Sequence, residues 1–166
     1  TLDGLKLAFD QEGTVTAATS SPLTDGAAAV LVCSADYANN NDLEILAYIR
    51  GMAVSGCAPE IMGIGPVLSS QKALKRAGVN LEDVDIIEMN EAFAAQSLAC
   101  VEELGIDMSK LNIHGGAIAM GHPLGASGAR ITGKAASLLK ETGKRYALST
   151  MCVGGGQGCA TVLERA

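Results

Sequence analysis

Between residues 112 and 130 the chain reads N-I-H-G-G-A-I-A-M-G-H-P-L-G-A-S-G-A-R. This short stretch gathers Gly115, Gly116, Gly121, Gly125, Gly128, Pro123 and both histidines of the protein. Glycine loses more backbone freedom on folding than any other residue, so a run this rich in it needs a reason beyond packing. The residue before a proline is pushed towards extended backbone, which sets His122 at the end of an extended piece. Residues 124–129 then open a helix whose small side chains let other backbone come close. A histidine on an exposed turn of this kind suits chemistry. A polar turn that merely starts a helix is the other reading, and the motif alone leaves both open.

Composition narrows the classes. A length of 166 residues supports one substantial core rather than two domains. With 48 % hydrophobic and 18 % charged residues the chain reads as globular. No apolar run approaches the roughly 20 residues of a membrane helix, and no cleavable leader pattern opens the chain, so a soluble protein with no membrane span is expected. A net charge of −6 and only three tyrosines and two phenylalanines argue against a nucleic-acid partner. Cys33, Cys57, Cys100, Cys152 and Cys159 are odd in number and lack C-x-x-C spacing, which suggests neither a disulfide framework nor a zinc site. Reduced thiols point to a cytoplasmic location.

Residues 1–25 are polar and turn-rich and read as an irregular lead-in with a short extended piece at 14–17. The apolar run A-A-A-V-L-V-C at 27–33 suits a strand buried on both faces. Ser34 can cap a brief helix through Asn39. A second strand is expected over 45–54, with Gly51 marking a bulge or a close backbone approach. Pro66 sits at the first position of a helix that should run over 67–77 and end at Gly78. A third strand covers 84–89. The segment that follows, 91–104, is nearly all small or apolar in its first ten residues and reads as a buried helix. Another helix spans 127–142, and strands at 146–151 and 160–164 flank C-V-G-G-G-Q-G. Alternating strands and helices give an α/β layered domain, mostly parallel, with an antiparallel pair at the end.

Chemistry could reside at three points. The first is His122. The second is M-N-E-A-F, where Asn90 lies between a strand and a helix; it could serve a site or simply cap the helix. The third is M-C-V-G-G-G-Q-G, where Cys152 ends a strand and glycine amides could face an oxyanion. Its rival is an ordinary hairpin with Cys152 as a small buried hydrophobe. A cysteine acts as a useful acid or base when a neighbour lowers its pKa, and His122 is the available neighbour. No G-K-[ST] follows the glycines, and Gly121, Gly125 and Gly128 do not fit G-x-G-x-x-G. No spacing suggests a metal.

In this order and spacing, N-E-A-F, G-H-P-L-G-A-S-G and C-V-G-G-G-Q-G closely resemble the C-terminal half of the thiolases, acyl-CoA acetyltransferases that cleave or form 3-ketoacyl-CoA. T-V-T-A-A-T-S-S-P-L-T-D-G-A-A-A and I-M-G-I-G-P extend the likeness over essentially the whole chain. The resemblance implies a thiolase-like layered α/β fold with a mixed five-stranded sheet, residues 1–25 ending a CoA-binding loop region and 26–166 forming the C-terminal domain. It implies that His122 activates a nucleophilic cysteine and helps hold the thioester oxygen, with Asn90 fixing a water in that oxyanion hole. Cys152 would move a proton at the substrate α-carbon or the leaving thiol, and the Gly154 amide would serve a second oxyanion hole. Ser21 matches a serine that bonds the pantetheine arm, although T-S-S replaces the commoner N-A-S. Phe9, Met62 and Phe93 match apolar positions lining the CoA and acyl channel.

The same resemblance implies acyl-CoA and CoA as substrates, no cofactor, and a homo-oligomer when complete. It assigns the nucleophilic cysteine to an N-terminal half that would have to be supplied. Breaking a carbon–carbon bond beside a ketone needs that thiol, a stabilised enolate-like charge and a proton donor. Two readings follow: a catalytic C-terminal half, inactive by itself, or a non-catalytic acyl-CoA or lipid-binding module. The pair His122 and Cys152 favours the first. Ketoacyl synthases are a third relative, disfavoured because they usually carry histidine or asparagine where Cys152 stands.

Overall fold

The computed structural model describes residues 4–166. Its described residues form one four-stranded mixed sheet between two helical layers. In chain order the elements are α1 (Ala35–Asn40), β1 (Ala47–Gly56), α2 (Gly65–Ala77), β2 (Ile86–Met89), α3 (Ala94–Leu104), α4 (Ala117–Met120), α5 (Leu124–Thr142), β3 (Tyr146–Val153) and β4 (Gln157–Arg165). The strands lie in the order β1-β4-β3-β2. Only β2 and β3 are parallel, while β4 runs antiparallel to both β3 and β1.

The side-chain alternation of a strand divides the core in two. Ile87, Met89, Leu148, Ala160, Val162 and Ala53 join Ala73, Leu74 and Cys100 beneath α2 and α3. On the other face Ile86, Ala147 and Leu163 pack on Ala135, Leu138 and Leu139 of α5. Helix α2 begins with proline in its first turn and stops at Gly78, where φ is 66°. Its tight seat on the sheet requires Gly51: a Cβ there would lie 2.5 Å from the carbonyl oxygen of Ala73. The β1–β4 register also shifts between Ile49 and Gly51, so Gly51 marks both a close approach and a bulge.

Three expectations need correction. Among the described residues the sheet has four strands and not five, because 27–33 pairs with no strand there. Its residues are exposed, Leu31 by 72 % and Val32 by 67 %. An apolar run can fill a strand, but its partner is a non-local matter that the run itself does not encode. Second, the sheet is mainly antiparallel in its pairings, because β4 inserts between β1 and β3. Third, α3 starts at Ala94 and is not buried all round. Gln96, Ser97 and Cys100 face inward while Leu98 is 58 % exposed. The polar side chains are satisfied inside: Gln96 Nε2 donates to Cys100 Sγ, and that thiol donates to the carbonyl of Gly63 at 3.3 Å.

Helix α1 is capped as expected, with Ser34 Oγ accepting from the Tyr37 amide at 3.1 Å. Between the 26–34 segment, the 43–49 segment and α5 lies an open groove of about 780 Å³. The exposed side chains of Ile49, Met52 and Val54, on the α5 face of β1, continue this apolar surface.

Candidate active site

The parallel pair β2–β3 positions the site. Met89 is opposite Thr150, and the Asn90 amide donates to the Thr150 carbonyl at 3.0 Å, extending the ladder one residue. Cys152 follows two residues on. Asn90 and Cys152 thus emerge at the same carboxyl end of neighbouring parallel strands, where ligands of α/β sheets commonly bind. Asn90 does not cap α3, whose N-cap is Phe93. Its side chain is 1 % exposed, and neither Oδ1 nor Nδ2 has a hydrogen-bond partner among the described residues. Leaving such a group unsatisfied costs about 1–3 kcal/mol, and exceptions of this kind call for a functional explanation.

The lead-in joins the second motif to the histidine. Ser20 bridges to Phe93 and Leu23 bridges to His122. The Ser21 amide donates to the Ala92 carbonyl at 2.9 Å, and its hydroxyl donates to the same oxygen at 3.2 Å. The His122 amide donates to Pro22 O at 3.4 Å and to Thr24 Oγ1 at 3.2 Å. Gly121, at φ 94°, lies so close to the Thr24 side chain that no Cβ would fit. The turn is therefore fixed from outside as well as by Pro123.

The imidazole of His122 is partly buried, with Nδ1 2.6 Å from Ser127 Oγ. Ser127 also bonds back to the Pro123 carbonyl at 3.1 Å. A hydroxyl has one proton to give. Donated to Pro123, it makes Oγ the acceptor of Nδ1–H and leaves Nε2 as the basic nitrogen. This tautomer is assigned from the bonding network. Burial, and then the nearby Arg130 charge, hold His122 below the ordinary imidazole pKa, so it is neutral and able to accept a proton. Arg130 meanwhile donates to the Gly121 carbonyl at 2.9 Å.

Cys152 is buried, and its burial pushes the thiol pKa up rather than down. No hydrogen bond joins it to His122 among the described residues, and burial favours its neutral thiol form. Gly154 begins the β3–β4 turn, with open space around its Cα. Phe9 and Phe93 meet edge to face, with ring centroids 5.9 Å apart, although Phe9 remains 76 % exposed. Met62 is half-buried on the 3-10 segment Pro59–Ile64, which packs against α3.

Four polar contributors escaped the sequence reading: Thr24, Glu91, Asn112 and Ser127. Only Ser127 had a usable signal, since a serine five residues beyond a histidine that opens a helix can turn back onto its ring. Among the described residues no group of three or more His, Cys, Asp or Glu could hold a metal, and no helix is long and apolar enough to cross a membrane.

The site thus gathers an asparagine and a buried thiol at one end of the parallel pair β2–β3, with a histidine on the turn that opens α5, and comparisons identify the family. The family model for the thiolase C-terminal domain matches residues 43–165, and that for the thiolase N-terminal domain matches residues 1–36. The chain belongs to the thiolase family. It is 56 % identical over 168 residues to a 3-ketoacyl-CoA thiolase of Vibrio vulnificus (strain YJ016), covering 99 % of this chain and 43 % of that protein. The structure of human mitochondrial 3-ketoacyl-CoA thiolase in complex with CoA aligns with a TM-score of 0.92 at 46 % identity, over 99 % of this chain and 42 % of that one. Bacillus anthracis acetyl-CoA acetyltransferase gives 0.96 at 44 % identity, again over 99 % and 42 %. The chain thus spans under half the length of the relatives it matches.

Proposed function

We propose that this chain is the C-terminal catalytic half of an acyl-CoA acetyltransferase. The reaction is thiolytic cleavage of a 3-ketoacyl-CoA to acetyl-CoA and a shortened acyl-CoA, or the reverse condensation, in the cytoplasm. The observation that carries this reading is the buried, unpartnered Asn90 amide at the strand end it shares with Cys152, with His122 tied through residues 20–24 to the same N-E-A-F segment. His122 Nε2 takes the proton of a nucleophilic thiol supplied by the N-terminal half. Asn90, through a water, and His122 hold the thioester oxygen as charge develops on it. Cys152 delivers a proton to the departing α-carbon in the cleavage direction, a role suited to a thiol kept neutral by burial. The Gly154 amide faces the acyl-enzyme oxygen, Ser21 holds the pantetheine arm, and Phe9, Met62 and Phe93 line the channel. A binding module would have no use for a base and an acid so arranged.

The N-terminal half is also the partner that the surface calls for. Residues 27–33 present an exposed apolar strip with no strand beside it, a liability that folded proteins normally cover, and residues 1–36 match the N-terminal family model. We assign this strip to the sheet of that half. The complete enzyme is then expected to form a homo-oligomer.

The test uses acetoacetyl-CoA and free CoA. The isolated chain should give no thiolysis, and adding the separately expressed N-terminal half should restore it. Cys152→Ala in the reassembled enzyme should lower turnover by about 10²–10⁴-fold, the range for a lost general acid, with the circular dichroism spectrum unchanged. Turnover by the isolated chain above background would overturn the assignment of the nucleophile to the other half.

A further inference from the structure

The loop ahead of His122 is tied to the N-E-A-F segment by a side chain that none of the roles above uses. Glu91 adjoins Asn90, and its two oxygens accept from two different parts of the loop. Oε1 accepts from Asn112 Nδ2 at 2.8 Å, and Oε2 accepts from the Ile118 amide at 3.1 Å. Asn112 is itself locked on the end of β2. Its Oδ1 accepts from the Met89 amide and its Nδ2 donates to the Met89 carbonyl, each at 2.9 Å, with its backbone left-handed at φ 45°. Gly116 lies against the carboxylate so closely that a Cβ would overlap both oxygens. On the far side, Lys134 donates to the Gly115 carbonyl at 3.1 Å.

The Ile118 amide belongs to α4, whose last residue, Met120, is followed by Gly121 and then His122. A tether on α4 therefore fixes where the G-H-P turn begins. Charge-assisted hydrogen bonds are roughly twice as strong as neutral ones, and this carboxylate makes two. The pattern also explains why a carboxylate is needed. Two donors arrive on two oxygens, whereas a glutamine would offer one acceptor and turn its own NH₂ onto a donor.

We infer that Glu91 is a positioning residue, which sets the spacing between the Asn90 amide and the His122 imidazole by holding the 112–121 loop to the end of β2. The inference rests on the catalytic reading above. Asn90 and Glu91 then divide the labour of one strand end. The first faces the reacting oxygen, and the second holds the loop that supplies the base.

Two substitutions test this in the reassembled enzyme. Glu91→Gln removes one acceptor, while Gly116→Ala displaces an intact carboxylate from its seat, since the overlap is with a side-chain terminus that can swing away. Each should lower kcat by about 10–100-fold, the scale of a small misplacement of catalytic groups, with KM for CoA within about twofold. The double variant should be no worse than the poorer single, as expected for one shared interaction. Hydrogen exchange at the Ile118 amide should accelerate in both. Unchanged kcat, parallel losses in kcat and affinity together with lowered melting temperature, or additive losses in the double variant would each overturn the inference. If the wild-type assembly shows no turnover, the catalytic reading fails instead. Glu91 is then judged by exchange at Ile118 and by the pH titration of the His122 ring, and no change in either for Glu91→Gln overturns it.

Discussion

The two glycine-rich turns of this chain look alike as text and are built for opposite purposes. In the 112–130 stretch, the space a Cβ would take is filled by side chains: the Glu91 carboxylate at Gly116 and Thr24 at Gly121. In the C-V-G-G-G-Q-G turn it is filled by backbone, with Gly156 against the Cys57 carbonyl and Pro59, and Gly158 against Gly65. Side-chain ends can swing aside and main chain cannot. The first turn is therefore a mount for a histidine held in place by side chains, which a substitution can displace. The second is a fixed seam that joins the β3–β4 hairpin to the start of α2, reinforced where Cys57 donates its amide to the Gly156 carbonyl at 2.8 Å.

The contrast breaks most visibly in stability. Gly158→Ala should cost about 3 kcal/mol or more in urea unfolding, as backbone overlap in a packed seam does. Gly154→Ala, with open space around it, should stay within about 0.5 kcal/mol. Equal losses at the two positions would dissolve the distinction. Next in size is Ser127→Ala, which frees the His122 ring without touching either seam. In the reassembled enzyme kcat should fall about tenfold or more, as for other partners that orient a catalytic imidazole, while the urea midpoint moves little. A wild-type kcat would mean that Nδ1 needs no partner.

The smallest effect should appear at Arg130. Burial is the larger cause of the depressed His122 pKa and Arg130 the lesser. Arg130→Gln should thus move the acidic limb of kcat/KM modestly upward in pH, towards the ordinary imidazole value. An unshifted limb would show that the charge does not act on the ring. The same depression links to folding. Stability from a neutral His122 is fully present above the unfolded value of 6.5 and is lost as pH falls through the lower folded value.

Much of this architecture was legible because its signals are local. Gly78, Gly105 and Gly143 each stop a helix in left-handed backbone, a local rule that needs no knowledge of the rest of the chain. Gly51 announced a close approach before its neighbour was known. What could not be read depended on which surfaces meet. The 27–33 run has a strand's composition, but only a partner makes it one. Helix α3 looked apolar all round, yet it turns Gln96 and Ser97 inward because Cys100 and Gly63 wait there. Asn90 looked like a cap because an asparagine before a helix usually is one, and the helix begins three residues later than its composition suggested. Glu91 belongs to the N-E-A-F motif, but nothing local marked what it holds, since its donors lie 21 and 27 residues away.

The lead-in that braces His122 has a consequence in time as well as in space. Ser21 meets Ala92 across 71 residues and Thr24 meets His122 across 98, whereas the β3–β4 hairpin closes within a short turn. Contacts so distant in sequence carry the larger loop-closure entropy and few bonds to offset it. The sheet is therefore expected to close before the wall around the histidine does, and amide exchange at His122 should be faster than in the β3–β4 hairpin. Folding of the sheet and assembly of the histidine's surroundings are thereby expected to be separate steps.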